Sequence, residues 1–218
     1  MKKAFLFDLN GTIIDDMEFH ARAWYQILVN QLGAKLSWEE VKKEMYGKNE
    51  ELLVRIFGKD HFTKAQMVDM SFEKERGYQK EFTPHLKLIK GLDVFFANAQ
   101  KAEIPMAIGS AAILFNIDFV LDGLDLRHYF STIVSADDVA ISKPNPETFI
   151  KCANGLNAPY PDCIVFEDSP KGVESALKAG MKAVVIKTYH QVHEFDHLPN
   201  VLFFIDDYTD DRLHSLLE

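Results

Sequence analysis

Short apolar runs that end in polar residues or glycine constrain the fold of this chain more than any other feature. Between most of them lie segments whose apolar residues recur at helical spacing, such as residues 92–101 and 146–154. Short apolar strands that alternate with helices are typical of a parallel sheet covered by helices on both faces. The pattern therefore predicts an α/β fold. The predicted strands span residues 3–9, 104–108, 132–134, 163–166, 182–186 and 201–205.

The segment from residue 15 to about residue 90 breaks this alternation. It contains successive amphipathic helical patterns around residues 18–31, 37–45, 50–57 and 64–82, and no clear strand pattern. Ser37 and Glu40 have the spacing of a capping box at a helix start. We predict an all-helical insertion at residues 15–87, within a sheet domain formed by residues 1–14 and 88–218.

Charge and composition exclude several classes of protein. The 24 Lys+Arg and 33 Asp+Glu residues give a formal charge of −9, which repels nucleic acid and anionic membranes. A hydrophobic fraction of 47% and two cysteines exclude a disordered chain and a disulfide scaffold. The first apolar run is too short for a signal peptide, and no run is long enough to cross a bilayer. We expect a cytoplasmic monomer with no nucleic-acid or membrane partner, in which Cys152 and Cys163 are reduced thiols.

Polar residues follow several predicted strands at the edge where a parallel sheet binds its ligands. Turn and cap preferences explain each of them singly, but the combination is harder to explain in that way. The carboxylates are hard oxygen ligands of the kind that Mg²⁺ takes, and the hydroxyl, ammonium and loop amides can donate to a phosphate. The sequence thus predicts a magnesium and phosphate site, where a carboxylate can attack phosphorus and form an aspartyl-phosphate. The residues are Asp8, Asn10, Ser110, Lys143, Glu167 and Asp168.

Four sequence motifs resemble those of the haloacid dehalogenase superfamily. They are residues 7–15, Ser110 after an apolar strand, residues 143–147 and residues 166–173. Their order and spacing match that superfamily over nearly the whole chain. The resemblance implies a Rossmann-like sheet core in which the helical insertion is a small mobile cap. Residues 18–24 are similar to the start of the cap in β-phosphoglucomutases and related sugar-phosphate phosphatases.

The resemblance implies a metal site at the first and fourth motifs. Asp8 would be the nucleophile and would bind Mg²⁺ through its other carboxylate oxygen. The backbone carbonyl of Asn10 and the carboxylate of Asp168 would be further ligands, with Glu167 beside the metal or acting through water.

The resemblance also implies a phosphoryl site. Ser110 and Lys143 would hold the transferring group, and the amides of Gly11 and Thr12 would donate to the same oxygens. Lys143 would in addition neutralise Asp8, so that this carboxylate can approach an anion.

Asn10 departs from the family pattern, because the family's phosphatases and mutases carry a second aspartate there as general acid and base. An amide does neither. Three explanations stay open. The chain uses a substrate with a good leaving group and another base, for which His20 is the candidate, although a helix-surface histidine is an equal alternative. It is a slow or inactive relative that binds phosphorylated ligands. Or the asparagine is an engineered replacement.

Other branches of the superfamily also lack that aspartate. The 2-haloacid dehalogenases need no metal, so the pair Glu167 and Asp168 argues against their chemistry. Phosphonoacetaldehyde hydrolases use a cap lysine that forms a Schiff base. Lys42, Lys43 and Lys48 lie in the insertion, but surface positions on amphipathic helices are their simplest interpretation.

Substrate choice is expected to depend on the insertion, where we assign substrate contacts to His20, Gly47 and Lys48. Residues 46–50 resemble the specificity loop of β-phosphoglucomutases only in the glycine, because Tyr46 and Glu50 stand where that family has cations. Lys48 or Arg55 are the candidates to compensate. We therefore predict a Mg²⁺-dependent hydrolase of a small phosphorylated, sugar-phosphate-like metabolite. A phosphoglucomutase-like phosphotransferase and an impaired phosphometabolite-binding protein are the alternatives.

Overall fold

The computed structural model describes residues 3–218. The chain divides into two compact units, Met1–Asp15 with Lys87–Glu218, and Asp16–Leu86. The second, helical unit differs by one residue at each end from the predicted insertion of residues 15–87. That this unit acts as a cap stays a prediction.

The sheet unit contains six parallel strands in the order β3-β2-β1-β4-β5-β6, which confirms the predicted α/β fold. Four α-helices accompany the sheet. The strands are β1 (Ala4–Phe7), β2 (Met106–Gly109), β3 (Thr132–Val134), β4 (Cys163–Glu167), β5 (Lys182–Ile186) and β6 (Val201–Ile205). The helices of this unit, numbered in chain order after those of the helical unit, are α5 (Leu92–Lys101), α6 (Leu114–Gly123), α7 (Glu147–Gly155) and α8 (Pro170–Lys178).

The central strand β1 is buried on both faces because all four of its residues are apolar. Phe7 stacks on Phe166 with ring centroids 4.6 Å apart, while Leu6 belongs to a core cluster that includes Val165 and Val173. Phe7 is in register with Ile108 of β2 and with Phe166 of β4. The residues that follow these three strands therefore meet at one edge of the sheet.

The helical unit contains α1 (Met17–Tyr25), α2 (Trp38–Glu44), α3 (Asn49–Phe57) and α4 (Lys64–Phe82). Its core cluster includes Trp24, Leu28 and Leu53. The capping box at Ser37 is confirmed, because its hydroxyl accepts from the amide of Glu40 and its own amide donates to the Glu40 carboxylate.

One helix of the helical unit differs from its prediction. The predicted helix of residues 18–31 is α-helical only as far as Tyr25 and continues as a π-helical segment, Gln26–Gln31. There the amide of Leu32 donates to the carbonyl of Ile27, five residues earlier in the chain.

Within residues 3–218, none of the helices has the length and apolar character needed to cross a bilayer.

Both cysteines are free thiols and fully buried, which leads to a prediction about their reactivity. Burial raises the pKa of Cys152 to about 12 and that of Cys163 to about 11. Because the thiolate is the reactive form, we expect the native protein to react with a thiol reagent on the order of 100-fold more slowly than the urea-unfolded protein. Absorbance-detected labelling measures both rates, and rapid labelling of the native protein would contradict the burial.

Candidate active site

Asp8 lies at the centre of the predicted site because it directly follows β1. Its amide donates to the carbonyl of Phe166 at 3.0 Å, so the ladder between β1 and β4 continues to this residue. Asp8 is 8% exposed, Glu167 1% and Asp168 4%. Two neighbouring strands thus deliver three buried carboxylates to one edge of the sheet, as the sequence predicted.

Lys143 joins two of these carboxylates. Its ammonium donates to Asp8 Oδ1 at 2.6 Å and to Glu167 Oε1 at 2.9 Å. Burial disfavours the charged ammonium, but the adjacent carboxylates outweigh it and raise the pKa of Lys143 above its ordinary value. The lysine is therefore a permanent positive charge next to Asp8.

Glu167 is held from its other side by the start of α8. Its Oε2 accepts from the Ser169 amide at 2.7 Å and from the Ser169 hydroxyl at 2.9 Å. The same hydroxyl accepts from the amide of Gly172 at 3.1 Å and so caps the helix. Both carboxylate oxygens of Glu167 are thus occupied by protein donors, and its carboxylate fixes Lys143 in place.

Gly172 leads to a prediction because it lies directly against this carboxylate. A Cβ atom added at Gly172 would be 1.7 Å from Glu167 Oε1, and Lys143 and Ser169 hold that oxygen's carboxylate in position. We expect Gly172→Ala to lower the free energy of unfolding by about 1–3 kcal/mol. Gly77→Ala is the matched control, because Gly77 lies in α4 with nothing within 4 Å of an added Cβ. Urea denaturation compares the two, and an equal effect would contradict the close approach.

The site suits a divalent metal ion. Oxygen atoms of Asp8, Glu167 and Asp168 lie within 4.8 Å of one another. Three carboxylates against the single ammonium of Lys143 leave an excess of negative charge, and such oxygen donors suit Mg²⁺. Asp168 also packs against backbone, because a Cβ atom at Gly11 would be 2.2 Å from Asp168 Oδ2. The buried acidic cluster therefore fits the predicted metal.

The predicted phosphate donors belong to the same unit. Ser110 is 1% exposed and follows β2, where its amide donates to the carbonyl of Val134 at 2.9 Å. Its hydroxyl oxygen accepts from the amide of Ala112 at 3.1 Å, so the O–H group itself remains a donor. Gly11 and Thr12 are buried, and Gly11 has a φ of +74°, which an L side chain rarely adopts. Their roles toward a phosphoryl group stay predictions.

Asn10 is half-buried at the start of the turn that follows Asp8. Its backbone forms an isolated bridge with Ile14. The amides of Thr12, Ile13 and Ile14 all point to the carbonyl of Leu9, at 2.8 to 3.4 Å. The residue that departs from the family pattern therefore sits in a tight, ordered turn.

His20 is part of a buried polar cluster inside the helical unit. The ammonium of Lys74 lies 2.6 Å from His20 Nδ1 and 2.9 Å from Glu75 Oε1. His20 Nε2 is 3.2 Å from Asp16 Oδ2, which also accepts from the hydroxyl of Tyr78 at 2.5 Å. Because an ammonium only donates, Nδ1 is the acceptor and Nε2 carries the hydrogen.

These contacts exclude one of the two interpretations of His20. The residue is 7% exposed and stacks on Tyr78 with ring centroids 3.8 Å apart, so the expectation of a helix-surface histidine is wrong. Both ring nitrogens have partners within the helical unit. Burial opposes the ionisation of Glu75 and so favours a higher pKa. Favourable interactions, of which the charge of Lys74 is the largest, outweigh burial and lower the pKa of Glu75. The role of His20 as a base or substrate contact stays a prediction.

The predicted specificity loop is held by Arg55. This guanidinium donates to the Glu44 carboxylate at 3.1 Å and to the carbonyl of Tyr46 at 2.8 Å, and it stacks 3.7 Å from the centroid of the Tyr46 ring. Gly47 has a φ of +77°, and Lys48 directly precedes α3. Arg55 therefore serves the loop itself, which weakens it as the compensating cation for a distal phosphate.

Three residues near these groups have no place in the sequence prediction. Thr188 donates to the carbonyl of Gly11 at 2.6 Å, and Tyr208 donates to the carbonyl of Thr12 at 3.1 Å. Both follow apolar strands, and inspection of the ends of β5 and β6 would have found them. No signal in the sequence distinguishes buried Lys74 from a surface lysine.

The chain is similar to known proteins over most of its length. Residues 5–186 match the family described as haloacid dehalogenase-like hydrolase. The chain belongs to this family. An uncharacterized protein of Haemophilus influenzae is 35% identical over 188 residues, covering 84% of this chain and 90% of that protein. The fructose-1-phosphate phosphatase YqaB of Escherichia coli is 27% identical over 195 residues, covering 84% and 95%.

Two further comparisons agree. The β-phosphoglucomutase of Bacillus subtilis is 30% identical over 190 residues, covering 84% of this chain and 82% of that protein. A family IA hydrolase from Entamoeba histolytica has a TM-score of 0.85 at 27% identity and covers 99% of both chains. The protein is thus an enzyme of the phosphatase type within this family.

Proposed function

We propose that this protein is a Mg²⁺-dependent phosphohydrolase of a small sugar-phosphate-like metabolite, which reacts through an aspartyl-phosphate on Asp8. The observation that carries the proposal is the buried ammonium of Lys143, which contacts Asp8 and Glu167 beside Asp168. The names of the Escherichia coli phosphatase and the Bacillus subtilis mutase support a sugar phosphate as the substrate class.

In the first step a carboxylate oxygen of Asp8 attacks phosphorus, and the ester P–O bond breaks. Lys143 screens the charge of Asp8 from the approaching anion, and the Ser110 hydroxyl and the Gly11 amide donate to the phosphoryl oxygens. The Thr12 amide joins them once it leaves the carbonyl of Leu9, which lies 3.4 Å away in the structure. The leaving oxygen departs with the electron pair of the broken bond. Mg²⁺, held by Asp8, Asp168 and the carbonyl of Asn10, would neutralise charge on the transferring group.

In the second step water attacks phosphorus, the bond to Asp8 breaks, and inorganic phosphate and free Asp8 result. Water must lose a proton, and the alkoxide of the first step must gain one. The amide of Asn10 takes part in neither transfer. The protein therefore favours substrates whose leaving group needs no acid, and its phosphoenzyme is long-lived.

The helical unit completes the proposal as a cap that excludes water and selects the substrate. We assign the contacts with the organic part of the substrate to Gly47 and Lys48. His20 is the candidate base, a role that requires its Nδ1 to be released from the ammonium of Lys74. Hydrolysis is preferred over mutase chemistry because Arg55, one of the two candidate cations for a second phosphate, is engaged by Glu44 and Tyr46, which leaves only Lys48 of the two.

A phosphatase panel tests the proposal, with freshly purified protein, Asp8→Ala and chelator-treated samples. We expect slow turnover that requires Mg²⁺ and is lost in Asp8→Ala. After incubation with a small acyl phosphate, intact-mass spectrometry should detect a phosphoenzyme. No turnover and no mass gain in the native protein would favour the phosphometabolite-binding protein, for which Asn10 is the supporting observation.

A further inference from the structure

Asn10 is followed by glycine, and we propose that the Asn10-Gly11 turn is a site of spontaneous deamidation that converts Asn10 to aspartate and activates the enzyme. The predicted gain in activity rests on the proposed function, but the deamidation reaction itself does not. An Asn-Gly pair is the sequence in which the next backbone nitrogen reaches the side-chain amide most easily, because glycine has no side chain to hinder it.

The reaction balances with water alone. The backbone nitrogen of Gly11 attacks Cγ of Asn10, loses its proton to water, and ammonia leaves as a five-membered succinimide ring closes. Water then opens the ring. Attack at the side-chain carbonyl gives aspartate, and attack at the backbone carbonyl gives isoaspartate. Only the first product keeps the backbone length of the turn and supplies the carboxyl group that Asn10 lacks.

The structure distinguishes this pair from the other Asn-Gly pair of the chain. Asn154 and Gly155 lie in α7, where helical geometry holds the backbone nitrogen away from the preceding side chain. Asn10 and Gly11 instead lie in a turn outside the helices, and Asn10 is only half-buried, so water has access to it. We therefore expect ring closure at Asn10 and not at Asn154.

Storage in mildly alkaline buffer tests this proposal. We expect an intact-mass gain of about one dalton per molecule, located at Asn10 by peptide mapping and carrying heavy oxygen when the buffer is made with heavy-oxygen water. Asn10→Gln, which cannot close a five-membered ring, should show no gain. Activity should rise in proportion to the aspartate fraction, and isoaspartate should add nothing.

Three outcomes would overturn it. One is no gain at Asn10 in the folded protein while the unfolded chain gains mass. Another is a larger gain at Asn154. The third is an aged, aspartate-containing sample no more active than the fresh one although Asn10→Asp made by mutation is active. If Asn10→Asp is itself inactive, the proposed function fails, and the mass measurement still reports on the turn.

A second inference rests on a different observation: two hydroxyl groups from distant parts of the sequence donate to carbonyls of the same turn. We infer that Thr188 and Tyr208 are positioning residues for the phosphoryl site, and this too rests on the proposed function. They bind the carbonyls of Gly11 and Thr12, from 177 and 196 residues away. Both lie beyond residues 5–186, which the family match covers.

The planarity of the peptide bond explains how they act. The carbonyl of Gly11 and the amide of Thr12 belong to one rigid plane, so a bond to the carbonyl also fixes the N–H group, which donates to the carbonyl of Leu9 at 3.4 Å and closes the turn that carries the Gly11 amide. The hydroxyl of Thr12 has no partner among residues 3–218, so its own side chain does not hold the turn. Tyr208 is 5% exposed, and burial with the charges of Asp168 and Asp8 raises its pKa, so the phenol stays a donor.

Binding of inorganic phosphate in the presence of Mg²⁺ tests this inference by calorimetry. We expect Thr188→Val to weaken binding about tenfold and to lower the melting temperature by only about a few degrees, and Thr188→Ser to restore binding within about twofold. Tyr208→Phe should resemble Thr188→Val. Equal affinities for native protein and Thr188→Val would overturn the inference and leave the proposed function intact. If the native protein binds no phosphate, both fall. If it binds phosphate but turns over no substrate, only hydrolysis fails.

Discussion

Asn10→Asp is expected to raise kcat/KM for an alkyl phosphate by about 10²- to 10⁴-fold over freshly purified native protein. The substituted carboxyl group can protonate the leaving oxygen while the Asp8–phosphorus bond forms. For an aryl or acyl phosphate, whose leaving group needs no acid, the gain should be much smaller. The ratio between the two substrate classes therefore isolates proton transfer from any general change in the site. Steady-state assays with both classes measure it.

Asn30→Asp is the matched control for that substitution. It makes the same chemical change at an exposed residue of the helical unit, whose side chain contacts only Gln26 at 2.7 Å among the bonds that the structure describes. We expect unchanged kinetics for both substrate classes. An equal gain of Asn10→Asp on alkyl and aryl esters would contradict general acid catalysis as the missing function. No gain on either class would show that Asn10 does not limit the rate.

The strands could be predicted from the sequence because apolar runs and polar ends mark them directly. The predicted bounds of β3, β5 and β6 coincide with the structure. The carboxylates of the candidate site were predicted for a related reason, since they end or follow the central strands β1 and β4, whose register the parallel sheet fixes. The same local pattern therefore predicts both the strands and the position of these site residues.

The contacts that the sequence could not give depend on packing between distant segments. Thr188 is 177 residues from the carbonyl it binds, and no local pattern encodes that pair. Lys74 lies in α4 among other charged residues, and its burial follows only from how α4 packs on α1 around His20. For the same reason the sequence left His20 undecided between a surface residue and a base, and the structure excludes only the first.

Lys143→Met is expected to lower the free energy of unfolding by about 3–5 kcal/mol at neutral pH in the presence of a chelator. The methionine fills most of the space but leaves Asp8 and Glu167 buried without the ammonium that contacts both of them. Since the pKa of Lys143 is raised, its contribution is fully present throughout the neutral range and is lost only as the pH rises through the raised value. Urea denaturation at neutral pH measures the difference between native protein and variant.

Lys151→Met separates this effect from the general loss of a lysine. Lys151 is exposed and lies 2.8 Å from Glu147 at the surface of α7, where water screens both charges. We expect a loss below about 1 kcal/mol. A comparable loss of stability in the two variants would mean that Lys143 contributes no more than a surface ion pair does. We expect a large loss of stability that is confined to Lys143→Met and partly reversed by Mg²⁺, because a bound divalent cation replaces part of the missing positive charge. This result would mean that the excess negative charge of Asp8, Glu167 and Asp168 lies where a metal-dependent phosphatase needs it.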